Sequence, residues 1–142
     1  MKSVLVNPGL PAAPVDIEED DLRRELGFIS LAYPFDDPVC LVHDDDGIAN
    51  HRAPNRTVNG MIIPGPFYVL GVSCEGELLS LSPALQEKYL KVFALPETFP
   101  PGQWKVATTI QEDLHGVYVR IDTSWIPAEE DPGAEDPAEE ES

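Results

Sequence analysis

The sequence has 142 residues, 42% of them apolar, enough for one ordinary domain with a single core and too little for a second. Its 26 acidic and 9 basic residues give a formal charge of −17, a field that repels phosphates, so no direct nucleic-acid binding is expected and a basic partner is permitted. No window reaches the ~18 apolar residues of a membrane span, and the N-terminal run Ser3 to Val6 is cut off by Asn7-Pro8-Gly9 before a signal-peptide core develops, so the expected location is the cytoplasm, with no membrane contact.

Taken in chain order, Ser3 to Val6 reads as a short strand closed by the Asn7-Pro8-Gly9 turn, followed by a proline-punctuated connection. Glu18 to Leu26 reads as a helix. Glu19, Asp20 and Asp21 complement its positive N-terminal end, Arg23 and Arg24 its C-terminal end, and Gly27 supplies the stop. Phe28 to Tyr33 and Val39 to His43 are two β-rich runs joined by Pro34-Phe35-Asp36-Asp37-Pro38, a connection of hairpin length. Met61 to Ile63 and Phe67 to Ser73 are expected to form a further pair around Pro64-Gly65-Pro66, with the second run central in its sheet.

Ser82-Pro83 is a helix start, with a hydroxyl cap and proline at the first helical position. Leu85, Tyr89, Val92 and Phe93 then share one face while Glu87 and Lys91 pair on another. From Trp104 to Ile110 and from Val117 to Ile121 apolar and polar residues alternate, which predicts a C-terminal hairpin through Gln111 to Gly116. The fold class is therefore α+β: a mostly antiparallel sheet of six or seven short strands with two helices, in one domain over 1–127. Residues 128–142 hold eight acids and no large apolar side chain, and read as a disordered acidic tail; the body without them still carries −9.

No sequence motif supplies a reaction, and the chain reads as a non-enzyme with no cofactor and no metal. Asp44-Asp45-Asp46-Gly47 lacks the alternating acids and closing glutamate of a calcium loop and reads as a solvated turn. His43, His51 and His115 fall in different segments, and Cys40 with His43 three apart on a strand would point to opposite faces. Cys40 and Cys74 each stand in an apolar stretch and read as reduced, buried, structural thiols. One segment stands out against the acidic background: Asn50 to Arg56, with two arginines, a histidine and two asparagines. As a loop it could clamp the phosphates of a nucleotide-like ligand through His51, Asn55 and Arg56, with Tyr33 or Tyr68 as a stacking platform. The alternative is that its arginines pair with the neighbouring acidic turns.

The strand ending in Asn7-Pro8-Gly9, Tyr33-Pro34-Phe35-Asp36-Asp37-Pro38, His43-Asp44-Asp45-Asp46-Gly47, Pro54-Asn55-Arg56, Ile62 to Val69 and Tyr89 to Phe93 together resemble a family catalogued as a domain of unknown function. The likeness covers about residues 1–93. It implies a bacteriophage or mobile-element source, the cytoplasm of the host cell and an accessory role; it implies no reaction.

Three readings follow. In the first the chain binds a host protein, such as a defence protein, that presents a basic surface, using Asp20, Asp21, Asp36, Asp37, Asp44, Asp45 and Asp46, as a monomer or small homo-oligomer. Its sharpest form is DNA mimicry. An extended tail offers one charge per ~6 Å at ~3.1 Å per residue, against one phosphate per ~3.4 Å, so mimicry requires the body carboxylates to share one face. The second reading is the nucleotide-like ligand on Asn50 to Arg56. The third is a hydrolase or transferase, which requires two of the three histidines and a carboxylate within hydrogen-bond reach.

Overall fold

Strand-forming runs in this chain alternate apolar residues on both faces, and the computed structural model, which describes residues 1–128, shows why: a sheet with a core on each side. The chain forms two compact units, Met1–Thr98 and a second beginning at Phe99. Each is described by itself.

The first unit is built on six antiparallel strands, β1 (Lys2–Val6), β2 (Ala13–Asp16), β3 (Ile29–Ala32), β4 (Val39–Asp44), β7 (Phe67–Val72) and the two-residue β8 (Leu78–Leu79). Their order is β2-β1-β7-β4-β3, with β8 beside β7. The apolar run from Phe67 is central, as its continuous hydrophobicity predicts, because it is buried from both faces. Successive residues serve opposite cores: Val39, Leu41, Phe67 and Val69 face one, Cys40, Val42, Tyr68 and Leu70 the other.

Helix α1 (Glu19–Leu26) seats Leu22 and Leu26 in the second core, begins with the Glu18 amide donating to Asp21 Oδ2 at 3.4 Å, and stops at Gly27, whose φ of 76° suits a residue without a side chain. Helix α2 (Pro83–Val92) covers the other face with Tyr89, followed by Phe93, and is capped by Ser82 Oγ accepting from the Leu85 amide at 3.2 Å. A small hairpin, β5 (Pro54–Val58) and β6 (Met61–Pro64), lies on the α2 side, with Val58 and Ile63 in the same core. The expected pairing of Met61 to Ile63 with Phe67 to Ser73 is corrected here: β6 turns back onto β5, and β7 pairs with β1 and β4.

The second unit holds β9 (Gly102–Asp113) and β10 (Gly116–Pro127), paired over all twelve residues around Leu114-His115. The described residues thus hold ten strands and two helices in an α+β arrangement, against six or seven strands expected. The additions are β2, β5 and β8, each too short or too polar to show an apolar period. Residues 129–142 of the expected tail lie outside the described residues.

Gly71 shows how tightly β8 is laid on β7. A Cβ there would sit 2.9 Å from the Ser80 carbonyl oxygen and 3.2 Å from that of Leu79, both backbone atoms that cannot rotate away. Gly71→Ala is expected to cost about 2 kcal/mol of stability, read as a lower urea midpoint at unchanged slope; an unchanged midpoint would show that β8 is free to shift.

Candidate functional site

A concavity of the first unit lies on its α2 side, and three pieces of local chemistry build it. Proline on either side of the β3–β4 connection presents Phe35, which stacks against Tyr89 at 4.9 Å between ring centroids and meets Phe93 edge-on at 6.3 Å. Helix α2 turns Tyr89 inward and leaves Val92, 52% exposed, on the rim. The β5–β6 hairpin closes through Asn59-Gly60, whose φ angles of 49° and 79° are those of the turn that matches strand twist.

Between them is a cleft of ≈ 430 Å³ walled by Phe35, Val58, Val92, Phe93 and Leu95, with Arg56, Thr57 and Glu97 among its lining. A second hollow of ≈ 280 Å³ is lined by Pro34, Asp36, Asp37, Lys88 and Tyr89. Phe35 and Val92 line both, so the two hollows adjoin across these apolar side chains and together form the groove.

Carboxylates mark its two ends. Glu97 accepts from the Thr57 amide at 2.8 Å and from Thr57 Oγ1 at 2.6 Å, so it occupies the outer edge of β5 where another strand would otherwise pair. At the other end Asp37 accepts from Lys88 Nζ at 2.6 Å and Tyr89 Oη at 2.7 Å. The Lys88 hydrogen bond, then that of Tyr89, holds the Asp37 carboxyl below the usual carboxylate range, while burial and the Asp37 hydrogen bond push the Tyr89 phenol upward. Asp36 beside it is exposed. The groove thus offers fixed negative charge on either side of an aromatic and aliphatic floor.

The residues expected to clamp a nucleotide are not brought to one place. Asn50 to Arg56 is not an open loop, because its last three residues belong to β5. Asn55 is fully buried, its Nδ2 donating to the Val6 and Gly65 carbonyls at 2.8 and 2.9 Å. Arg56, 4% exposed, donates to the Asn7, Leu10 and Phe93 carbonyls at 3.3, 2.6 and 3.2 Å and to Asn55 Oδ1 at 2.8 Å. Its Nε is buried without an acceptor among the described residues, and burial lowers its pKa against the opposing charge of Glu97. Tyr68 lies on the opposite side of the sheet, its phenol pushed up to about 12 by burial and by Glu25, to which it donates at 3.4 Å. Tyr33 is exposed after edge strand β3, and His51 is exposed on a loop at φ 56°.

The candidate acidic residues fall in three separate stretches of the chain. Asp20 and Asp21 sit in the first turn of α1, with Asp21 paired to Arg24; Asp36 and Asp37 precede β4; Asp44 ends that strand, and Asp45 and Asp46 follow it. Asp44, 1% exposed, is withdrawn from any carboxylate face that a mimic of DNA would present. Asp44 also corrects the reading of its turn as solvated: it is 1% exposed, accepting from Arg52 Nε at 2.6 Å, Asn50 Nδ2 at 2.9 Å and the Asp46 amide at 2.8 Å. Burial pushes its carboxyl up, and these hydrogen bonds outweigh that and leave it below the usual range. Cys40 is buried, its thiol raised to about 11 by desolvation, whereas Cys74 is exposed, contrary to expectation.

His43 Nδ1 lies 3.2 Å from the Asp44 carbonyl, and among the described residues no three His, Cys, Asp or Glu gather as metal ligands. Glu97, Thr57 and Val92 were not singled out from sequence as site residues; the one available signal was Asn59-Gly60, which places Thr57 on a hairpin edge.

Searches of curated proteins and of solved structures returned no match. Residues 1–94, which hold both helices, the sheet and most of the groove, match the family described as a domain of unknown function, DUF3846, and the chain belongs to that family.

Proposed function

We propose that this protein is a non-enzymatic accessory protein of a bacteriophage or mobile element, which binds a host protein by taking a basic, apolar-anchored segment of it into the groove. The observation that carries the reading is the groove itself: apolar side chains Phe35 and Val92 between its two hollows, with carboxylates Asp36, Asp37 and Glu97 at its two ends. A surplus of 17 negative charges draws basic segments toward it from a distance. Glu97 on the edge of β5 adds a route for extended backbone, since a partner strand that displaced its carboxylate would find the Thr57 amide ready to donate.

The test is fluorescence anisotropy with a labelled peptide bearing a central Leu-Phe pair flanked by arginines. Val92 and Asp36 are both exposed at the surface, so Val92→Asp and Asp36→Lys should fold, which circular dichroism checks. Each is expected to weaken binding about tenfold, equivalent to ~1.4 kcal/mol, and added salt is expected to weaken it further. Binding that both variants leave untouched would place the partner surface elsewhere.

A further inference from the structure

The β9–β10 ribbon of the second unit carries a face that its own strands do not cover. Its register puts Trp104 opposite Trp125, Val106 opposite Thr123, Thr108 opposite Ile121, Ile110 opposite Val119 and Glu112 opposite Val117. Directly opposed residues share a face, so one side is apolar for nearly its whole length. The other side pairs Lys105 with Ser124, Ala107 with Asp122, Thr109 with Arg120 and Gln111 with Tyr118, and is polar. On the apolar side Val106, Ile110, Val117, Val119 and Ile121 are 51–73% exposed. A two-stranded ribbon of this kind is at best marginally stable in water without a third strand or a packing partner.

We propose that a second copy of this chain covers that face, the two ribbons packing apolar side to apolar side about a two-fold axis. Charge selects the occupant. Of the 26 acidic and 9 basic residues, 15 and 7 lie in 1–98, 8 and none in 129–142, and only 3 and 2 in 99–128. The ribbon segment therefore carries −1 between flanks of −8 each, and is the part of the chain that its own copy can approach with least repulsion. A basic partner has no counter-charge to find on the apolar side, where Glu112 at the tip is the single ionisable group.

Area sets the strength. Twelve residues at ~3.4 Å span about 40 Å, and two strands make a face about 10 Å wide. Roughly 400 Å² on each copy, about 800 Å² in all, falls in the range of weak, reversible interfaces. The two-fold arrangement needs only the one self-complementary patch.

Sedimentation velocity of the full chain at about 50 mM and about 500 mM NaCl tests this. Association should tighten about tenfold at the higher salt as the like charges of the two copies are screened, the opposite sign to groove binding, so the two proposals fail separately. Both tryptophans of the chain lie on the ribbon's apolar side, so dimer formation should also shift their emission to the blue. Ile110→Lys is expected to abolish the dimer and the emission shift, while Thr109→Lys, which adds the same charge one residue away on the polar side, should retain both. A monomer at every salt and concentration, or a dimer that Ile110→Lys leaves intact or that Thr109→Lys destroys equally, overturns the proposal.

Discussion

Arg56→Ala is expected to remove a large share of the stability of the Met1–Thr98 unit. The Arg56 guanidinium, 4% exposed, ties β5 to the Asn7 and Leu10 carbonyls of the β1–β2 turn and to the Phe93 carbonyl at the end of α2, and also holds Asn55 Oδ1 of its own strand. Truncation leaves the Leu10 carbonyl and Asn55 Oδ1 without the Arg56 donor, while the Asn7 and Phe93 carbonyls keep the Leu10 and Ala12 amides; each buried group left unpaired costs about 1–3 kcal/mol, and the lost side chain adds a cavity. A loss of about 4 kcal/mol is a large share of the 5–15 kcal/mol typical of a domain and corresponds to a fall in Tm of at least about 15 °C. Arg56→Lys should recover little, because an ammonium is one compact donor centre and cannot span four acceptors arranged for a planar fork. Thermal unfolding followed by circular dichroism reads both. An Arg56→Ala protein that melts within about 5 °C of the parent would mean that the guanidinium is not a structural clamp, and would return it to the role of a ligand-binding cation.

The same residue marks the boundary of what the sequence could reveal. Helix α2 was legible from Ser82-Pro83 and from the Tyr89 and Phe93 spacing, and the ribbon from the alternation around Trp104 and Val117, because in each the signal is periodic and local. β5 was not. Pro54-Asn55-Arg56-Thr57-Val58 is poor in strand formers and rich in groups that usually face water, so its basic residue looked like an exposed charge waiting for a ligand. Only the three-dimensional placement of the Val6, Asn7 and Leu10 carbonyls turns Asn55 and Arg56 inward, and nothing in the spacing of residues 6–10 and 55–56 encodes that meeting. The β6 error has the same origin. Pro64-Gly65-Pro66 and Asn59-Gly60 are competing turn signals four residues apart, and the second, with both φ values positive, closes the hairpin. The groove follows from that choice, since β5 presents Thr57 to Glu97 only when paired with β6.

Asp44→Asn should also be strongly destabilising, and with a pH signature that distinguishes it from a packing defect. Asp44 is 1% exposed and binds Arg52 Nε, Asn50 Nδ2 and the Asp46 amide, while Arg52 Nη2 reaches the Glu25 carbonyl at 3.2 Å, so one carboxylate ties the turn after β4 to the end of α1. Removing the charge from one partner of a buried pair costs about 3 kcal/mol, to be read from urea midpoints near pH ~7. The folded-state carboxyl is held below its ordinary value, so the folded protein binds its proton less readily than the unfolded chain. Its contribution is fully present above the unfolded pKa of ~3.9 and is lost as pH falls through the lower folded pKa. The gap between parent and Asp44→Asn should accordingly be widest at neutral pH, shrink below pH ~4 and close at more acid pH. Asp16 and Asp37 are also held low, by Lys2 and by Lys88 with Tyr89, but both remain in the variant and cancel in the difference. A gap that stays constant down to pH ~2 would mean that the asparagine disturbs the turn by shape, and that the Arg52 pairing adds nothing to stability.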